Sequence, residues 1–333
     1  MSARRLLQLL LVIQALAALG IGLAAVQIFG ASRWAGLALG LGSVVLVRLL
    51  INLNNFAMST RFASPTPSEY RLGFMARLRM FLEEFSASML QSSWTMPRAS
   101  ARTRIHPESG APPVLLLHGY GCNSGYWSHL VPRLDAAGIS HASVDLEPLT
   151  GDIDGYAPLV ERAVDALLAA TGADRVTIVA HSMGGLVARA WMRACGTDRV
   201  ARLITLGTPH HGTCLAAFGL GLNAAQMRRA AEGRAAQGRA AAGRAACDEP
   251  PECAWLRTLA GGEDAAARAL VTSIFSHHDN IVAPQTSSEL PGARNLAFGG
   301  VGHVALGRNR RVLDTVMEEI AGQAARQQAQ ATR

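Results

Sequence analysis

Val176-Thr177-Ile178-Val179-Ala180-His181-Ser182-Met183-Gly184-Gly185 joins an apolar run to a helix-forming stretch, Leu186 to Ala194, with a serine and two glycines at the junction. A strand that turns this sharply into a helix lifts the serine to the carboxyl end of the strand, and the glycines let helix and sheet approach closely. The helix amino terminus beneath the hydroxyl carries unpaired N–H groups and a partial positive charge, both favourable where an oxyanion develops. The pattern predicts a nucleophile at Ser182 and chemistry of the acyl-transfer type. Taken alone it also fits a chance serine in a strand-to-helix turn, so its weight depends on what surrounds it.

A serine hydroxyl is a weak nucleophile near neutral pH and needs a histidine as base, with a carboxylate to hold that histidine's tautomer. Downstream, the strand-like run Leu270 to Phe275 ends in Ser276-His277-His278-Asp279-Asn280, which puts Asp279 just beyond a strand end. A last short strand, Ala293 to Phe298, leads into Gly299-Gly300-Val301-Gly302-His303, a glycine-rich loop able to bring His303 back over the sheet edge. Upstream, Val114 to Leu117 reads as a buried strand entering His118-Gly119-Tyr120-Gly121-Cys122-Asn123, where the glycines let a backbone N–H turn toward a substrate carbonyl. The N–H groups of Tyr120 and Met183 are the expected oxyanion pair. His118 is expected to orient that loop, His181 to be the variable residue of the turn, and His210 and His211 to pack or line a pocket.

With these residues in view, the chain resembles the bacterial lipases of the α/β-hydrolase superfamily, especially the small secreted Bacillus type. The shared segments are His118 to Gly121, Ala180 to Gly185 with alanine in place of the usual first glycine, Leu206 to Thr213, Asp279 to Pro284 and Gly300 to Leu306. The resemblance covers about residues 112–214 and 271–320. It implies an α/β fold with a mostly parallel sheet flanked by helices, a triad of Ser182, Asp279 and His303, and an oxyanion hole at Tyr120 and Met183. The expected activity is hydrolysis of carboxylic esters with a lipid or other acyl ester as partner; the alternatives are a thioesterase or acyltransferase on the same machinery, or a non-catalytic membrane scaffold with a hydrolase fold. No cofactor or metal is expected, since no CxxC pair or histidine-rich spacing points to zinc. Two features depart from the small secreted type: an apolar amino-terminal segment, and a longer stretch between 214 and 270.

Of the 333 residues half are apolar, and the excess lies in the first fifty. Leu6 to Phe29 is 24 residues without a formal charge, and Ala35 to Ile51 is 17 residues holding only Arg48. As helices they would run about 36 and 26 Å, enough to cross a bilayer. Arg48 is expected to snorkel to the headgroups, with Trp34 as an interfacial anchor. A cleaved signal peptide is the alternative, but the apolar run continues twelve residues past the candidate cleavage site at Ala15 to Ala17. Arginines at 4, 5, 61, 71, 77 and 79 flank the segments, Arg48 falls near the end of the second, and only Arg33 lies between them. The distribution predicts a transmembrane hairpin with both ends, and hence the following domain, on the cytoplasmic side of a bacterial inner membrane.

The expected organisation is a membrane anchor over 1–60, an amphipathic helix and linker over 61–104, the hydrolase domain over 105–323 and a tail over 324–333. In the second unit Met75, Leu78, Leu82, Phe85 and Met89 recur at helical spacing, so one face would meet either the membrane plane or the folded domain. Residues 215–262 form an insertion and a candidate lid; within them Gly-Arg-Ala-Ala repeats at 233, 238 and 243, a composition that suits a solvated segment. The net charge of +7 comes largely from arginines and suits anionic membrane lipids. No nucleic-acid-binding module is recognisable. Of five cysteines only Cys247 and Cys253 are spaced to pair, and only in an oxidising compartment; oligomeric state is not readable.

Overall fold

Seven strands form one sheet in the computed structural model, which describes residues 2–230 and 252–331. The strands are β1 (Thr103–Arg104), β2 (Val114–Leu117), β3 (His141–Val144), β4 (Val176–His181), β5 (Val200–Leu206), β6 (Val271–Ser276) and β7 (Arg294–Phe298). They lie in the order β1-β3-β2-β4-β5-β6-β7, with β1 antiparallel to β3 and every other pair parallel. Strands β2, β4 and β6 are buried at every residue, and β5 at all but one. That is why they read as unbroken apolar runs: a parallel sheet covered on both faces leaves no solvent side to alternate with.

From β2 the chain moves outward to β3, then crosses back over β2 to β4 and continues to β7. Adjacent strands β2 and β4 thus lead away in opposite directions, which opens a crevice at their carboxyl ends. Register makes this edge level, since Leu117 pairs with Ala180, His181 with Leu206 and Ser276 with Phe298. One face of the sheet is covered by α5 (Ala157–Thr171) and α6 (Met183–Cys195), where Val160, Val164, Leu186 and Trp191 are fully buried. The other carries Tyr126, Trp127 and α8 (Arg310–Ala331), whose Val312, Val316 and Ile320 fill the second core.

The two amino-terminal helices are α1 (Ala3–Gln27) and α2 (Arg33–Arg61), with mean hydropathies of 2.5 and 2.0 over their most apolar stretches. Both are long and apolar enough to cross a membrane. They pack through glycine: a Cβ on Gly40 would fall 2.2 Å from Ala18 O, and one on Gly36 2.7 Å from Gly22 O. Ser32 caps α2, its Oγ accepting from Ala35 N at 3.2 Å. Two expectations change here. Helix α2 does not stop at 51 but runs ten residues further, because Asn52, Asn54 and Asn55 do not interrupt helical hydrogen bonding.

Arg48 turns inward instead of snorkelling: its guanidinium donates to Gln14 Oε1 at 2.8 Å and to the Ser93 and Ser92 hydroxyls at 2.6 and 3.1 Å. The amphipathic segment is a helix, α3 (Phe74–Leu90), but the face it docks onto the folded domain carries Met80, Glu84 and Ala87. Of the apolar stripe, Phe85 and Met89 are half-buried while Met75, Leu78 and Leu82 stay exposed.

The insertion is built into the domain at both ends. Cys214–Phe218 and Leu222–Gln226 form short helical turns, and in α7 (Ala254–Gly261) Leu256 and Leu259 are fully buried in the first core. The arginine repeat and Cys247 lie outside the described residues; Cys253 is a free, half-buried thiol whose Sγ sits 3.1 Å from Gln226 O. The sheet begins at Thr103, two residues before the expected domain boundary, and α8 continues to Ala331, through most of the expected tail. A short helix, α4 (Val131–Ala136), lies between β2 and β3.

Glu263, just past α7, makes a bidentate pair with Arg189 of α6 at 2.6 and 2.7 Å, and Arg189 is 1% exposed. Removing one partner leaves a desolvated charge, so Glu263→Ala should lower stability by about 3–5 kcal/mol. Chemical denaturation should show it as a lower midpoint with unchanged slope; an unshifted midpoint would mean that the pair does not hold α6 in place.

Candidate active site

Ser182 occupies the end of β4 with φ 54° and ψ −126°, and no other non-glycine residue among those described has a positive φ. The turn is held from both sides. Ser182 N donates to Leu206 O at 2.8 Å, and the Thr208 hydroxyl donates to Ser182 O at 2.9 Å. A side chain on Gly184 would fall 2.6 Å from the carbonyl oxygens of both Leu117 and His118, and one on Gly185 would fall 2.1 Å from Thr208 Oγ1. These two glycines are what allow α6 to start directly beneath the serine.

The loops after β6 and β7 bring Asp279 and His303 together, His303 Nδ1 lying 2.6 Å from Asp279 Oδ2. The other carboxylate oxygen accepts from Ile281 N at 2.8 Å and Val282 N at 2.7 Å, and His303 N donates to Asn280 Oδ1 at 2.9 Å. Gly207, at φ +56°, is required beside them, because a Cβ there would stand 3.1 Å from Asp279 Oδ2 and 3.2 Å from His303 Nδ1. Burial lowers the His303 pKa, but Asp279 and a second buried carboxylate, Glu84, outweigh it and leave the pKa above the usual imidazole value. Glu84 comes from α3 and accepts from Val304 N at 3.0 Å and Ala305 N at 2.8 Å.

Ser182 meets this pair through its neighbour His181, whose ring lies 4.6 Å from that of His303 and whose Nε2 is 3.3 Å from His303 O. Ser182 Oγ and His303 share no hydrogen bond among the described contacts, and bonds of this kind often tighten only when substrate is present. His181 stacks on Tyr126 at 3.9 Å, and burial drives its pKa well below the usual value, so it stays neutral.

On the β2 side, a Cβ on Gly119 would fall 2.8 Å from Ser182 Cβ, which sets the 118–121 loop against the nucleophile. His118 orients that loop. Leu146 N donates to its Nε2 at 2.9 Å, so the proton is on Nδ1 and is donated to Gly119 O at 2.9 Å. Met183 is the first residue of α6, where an N–H has no intrahelical acceptor, and the Tyr120 N–H takes no backbone partner among the described residues. The Tyr120 side chain turns away to Leu220, its hydroxyl donating to the carbonyl at 2.9 Å.

A cavity of about 540 Å³ opens at Ser182, with Tyr120, Leu215, Ala216, Phe218, Met227, Ile281 and Val282 in its wall. Asn54, Asn55 and Met58 of α2 complete it. His210 and His211 do not line it: His210 is buried against Arg189 and Thr205, and His211 pairs with Glu252 at 2.6 Å. His277 packs on Tyr70 and His278 accepts from Gly300 N, so neither reaches the cavity. Burial pushes the Cys122 thiol up to about 12, which makes it unreactive. The described residues hold one grouping with metal-ligand spacing, His106, Asp135 and His141, at the strand end opposite Ser182, where Arg104 and His106 already pair with Asp135.

Residues 114–331 match the model of the alpha/beta hydrolase family, and the chain belongs to that family. It is 32% identical over 114 residues to a triacylglycerol lipase of Pseudarthrobacter phenanthrenivorans, covering 32% of this chain and 35% of that protein. A triacylglycerol lipase of Burkholderia plantarii is equally similar, at 32% over 114 residues, 32% of each chain. The chain thus spans about a third of the length of these curated relatives. Among solved structures, the mature lipase BlEst2 of Bacillus licheniformis superposes with a TM-score of 0.51 at 18% identity, covering 66% of this chain and 97% of that one, a likeness of fold.

The backbone at Ser182 lies where only glycine is at ease, at a cost of roughly 1–3 kcal/mol. Ser182→Gly should therefore melt at a higher temperature than Ser182→Ala, by about 1 kcal/mol or more in unfolding free energy, although both lose the hydroxyl. Equal melting temperatures would show that the turn is not strained.

Proposed function

We propose that the protein is a serine hydrolase that cleaves carboxylic esters, with lipid acyl esters as its substrate class. The observation that carries this reading is the convergence of Ser182, the Asp279–His303 pair and the 118–121 loop at the mouth of one mostly apolar cavity. In the proposed mechanism His303 takes the Ser182 proton, the serine oxygen attacks the acyl carbonyl, and the Tyr120 and Met183 N–H groups hold the oxyanion. Asp279 fixes the Nδ1–H tautomer and stabilises the imidazolium; protonation of the leaving alkoxide releases the alcohol. Water activated by the same histidine then frees the acid. Since the base must be neutral, turnover falls as pH drops through the raised His303 pKa.

The anchor supports the choice of lipid. We read α1 and α2 as a membrane hairpin, with the arginine distribution favouring a cytoplasmic domain. If the bilayer holds α2 to about residue 51, the following turns to Arg61 project roughly 15 Å beyond it. Those turns carry Asn54, Asn55 and Met58, so the cavity lies near the headgroup plane. Phe218, Leu220 and Leu222 on the adjoining loop are 68, 75 and 63% exposed, an apolar rim suited to a lipid surface.

Ser182→Ala should abolish labelling by a fluorophosphonate probe and lower ester turnover by about 10³- to 10⁶-fold with the fold intact. His303→Ala should match it and Asp279→Ala should be somewhat milder; a labelled Ser182→Ala protein would end the assignment. For the cavity, Met58→Trp should lower kcat/KM for long-chain esters at least about tenfold more than for a short-chain ester. An equal effect on both chain lengths would place the acyl chain elsewhere.

A further inference from the structure

Glu84 is fully buried, a costly place for a carboxylate, and its partners belong to the loop that carries His303. Its two oxygens accept separately from Val304 N at 3.0 Å and Ala305 N at 2.8 Å, the two N–H groups directly after His303. Gly302, directly before it, leaves room for the same carboxylate: a Cβ there would fall 2.5 Å from Glu84 Oε2. The backbone on both sides of the histidine is therefore shaped around one side chain. That side chain comes from α3, thirty residues ahead of the segment that matches the hydrolase family.

We propose that Glu84 is a positioning residue for His303: it clamps the turn bearing the imidazole through two N–H bonds and places a second negative charge beside it, so that α3 is part of the working site. The proposal rests on the reading of His303 as general base. A base held by Asp279 alone could still swing about that one bond, and small displacements of a reacting group are costly. The clamp acts at the main chain, whereas Asp279 acts at the ring. Burial and Asp279 raise the Glu84 pKa while the Val304 and Ala305 N–H bonds and His303 lower it; in its ionised form the carboxylate favours the imidazolium formed when the serine is deprotonated. The titratable groups around the pair are Asp279, which bonds His303, neutral His181, stacked on Tyr126 and tilted against His303, and the Tyr126 hydroxyl, which burial keeps protonated.

The test uses the full-length chain in detergent and a soluble short-chain ester. Glu84→Gln removes the charge and sets an amide NH₂ against one of the two N–H donors. We expect kcat to fall about 10- to 100-fold with KM within about twofold, Ser182 still to be labelled though more slowly, and the acid limb of the kcat/KM profile to move to lower pH. Gly302→Ala disturbs the same contact without touching the charge, and should lower kcat with the acid limb in place.

Glu83→Gln serves as the control. It lies on the same helix, where Glu83 Oε1 accepts from Asn309 Nδ2 at 2.8 Å, and should leave both quantities near wild type. An unmoved acid limb in Glu84→Gln, an equal shift in Glu83→Gln, or wild-type kcat in Gly302→Ala overturns the proposal. If Glu84→Gln does not fold, Gly302→Ala decides. Failure of the underlying reading would show separately, as ester turnover that survives Ser182→Ala.

Discussion

Ser182 can hold φ 54° and ψ −126° only because the main chain on either side of it is clamped. Its N–H is bonded to β5, its carbonyl to Thr208, and the two glycines after it press α6 against the carbonyl oxygens at the end of β2. A turn of this kind costs roughly 1–3 kcal/mol and persists only where the surroundings over-determine it. The sheet register, the absence of side chains at 119, 184 and 185 and the burial of α6 all serve that requirement. Relaxing any of them would let the serine drop back from the strand end, and the neighbouring loops would lose the surface they are built on.

Around this fixed point the site is buried and unequally charged. Asp279 has both oxygens engaged, one by His303 and the other by two backbone N–H groups. Donors on both oxygens fix the orientation of this carboxylate, which is the condition for steering an imidazole tautomer. The surrounding histidines show the opposite case. Burial pushes His118, His181 and His210 toward the neutral form, the one carboxylate near them among the described residues being Asp145 at 3.9 Å from His118 Nε2, while His303, bonded directly to Asp279, is shifted up. The difference between a structural and a candidate catalytic histidine is thus one of partners, since burial is common to all four.

The amino-terminal segment is joined to the hydrolase domain at more than one point. Helix α2 supplies part of the cavity wall, Arg48 ties α1, α2 and the residues after α3 together, and Glu84 of α3 reaches the loop behind His303. Ser64 adds a further link, its N–H donating to Gln285 Oε1 at 3.1 Å. A segment joined to the domain by the chain alone would need none of these contacts. Together they mean that the cavity and the histidine loop are completed by residues outside the family's own fold.

The positions of Ser182, Asp279 and His303 just beyond strand ends were legible in the chain because each follows an apolar run, and strand runs and glycine turns are local signals. The α/β class, the loop at 118–121 and the two long apolar helices were legible for the same reason. Glu84 was not. It follows another glutamate on a helix whose visible signal is the apolar stripe from Met75 to Met89, and its partners lie 220 and 221 residues away. Nor could spacing show that Met58 meets Ser182 across one cavity, that Arg48 would find polar partners in neighbouring helices, or that Asn280 would hold the His303 backbone. Local propensity and periodicity report which face of an element is apolar; which buried polar group finds which partner is decided only when the packed chain must satisfy every donor and acceptor it has taken out of water.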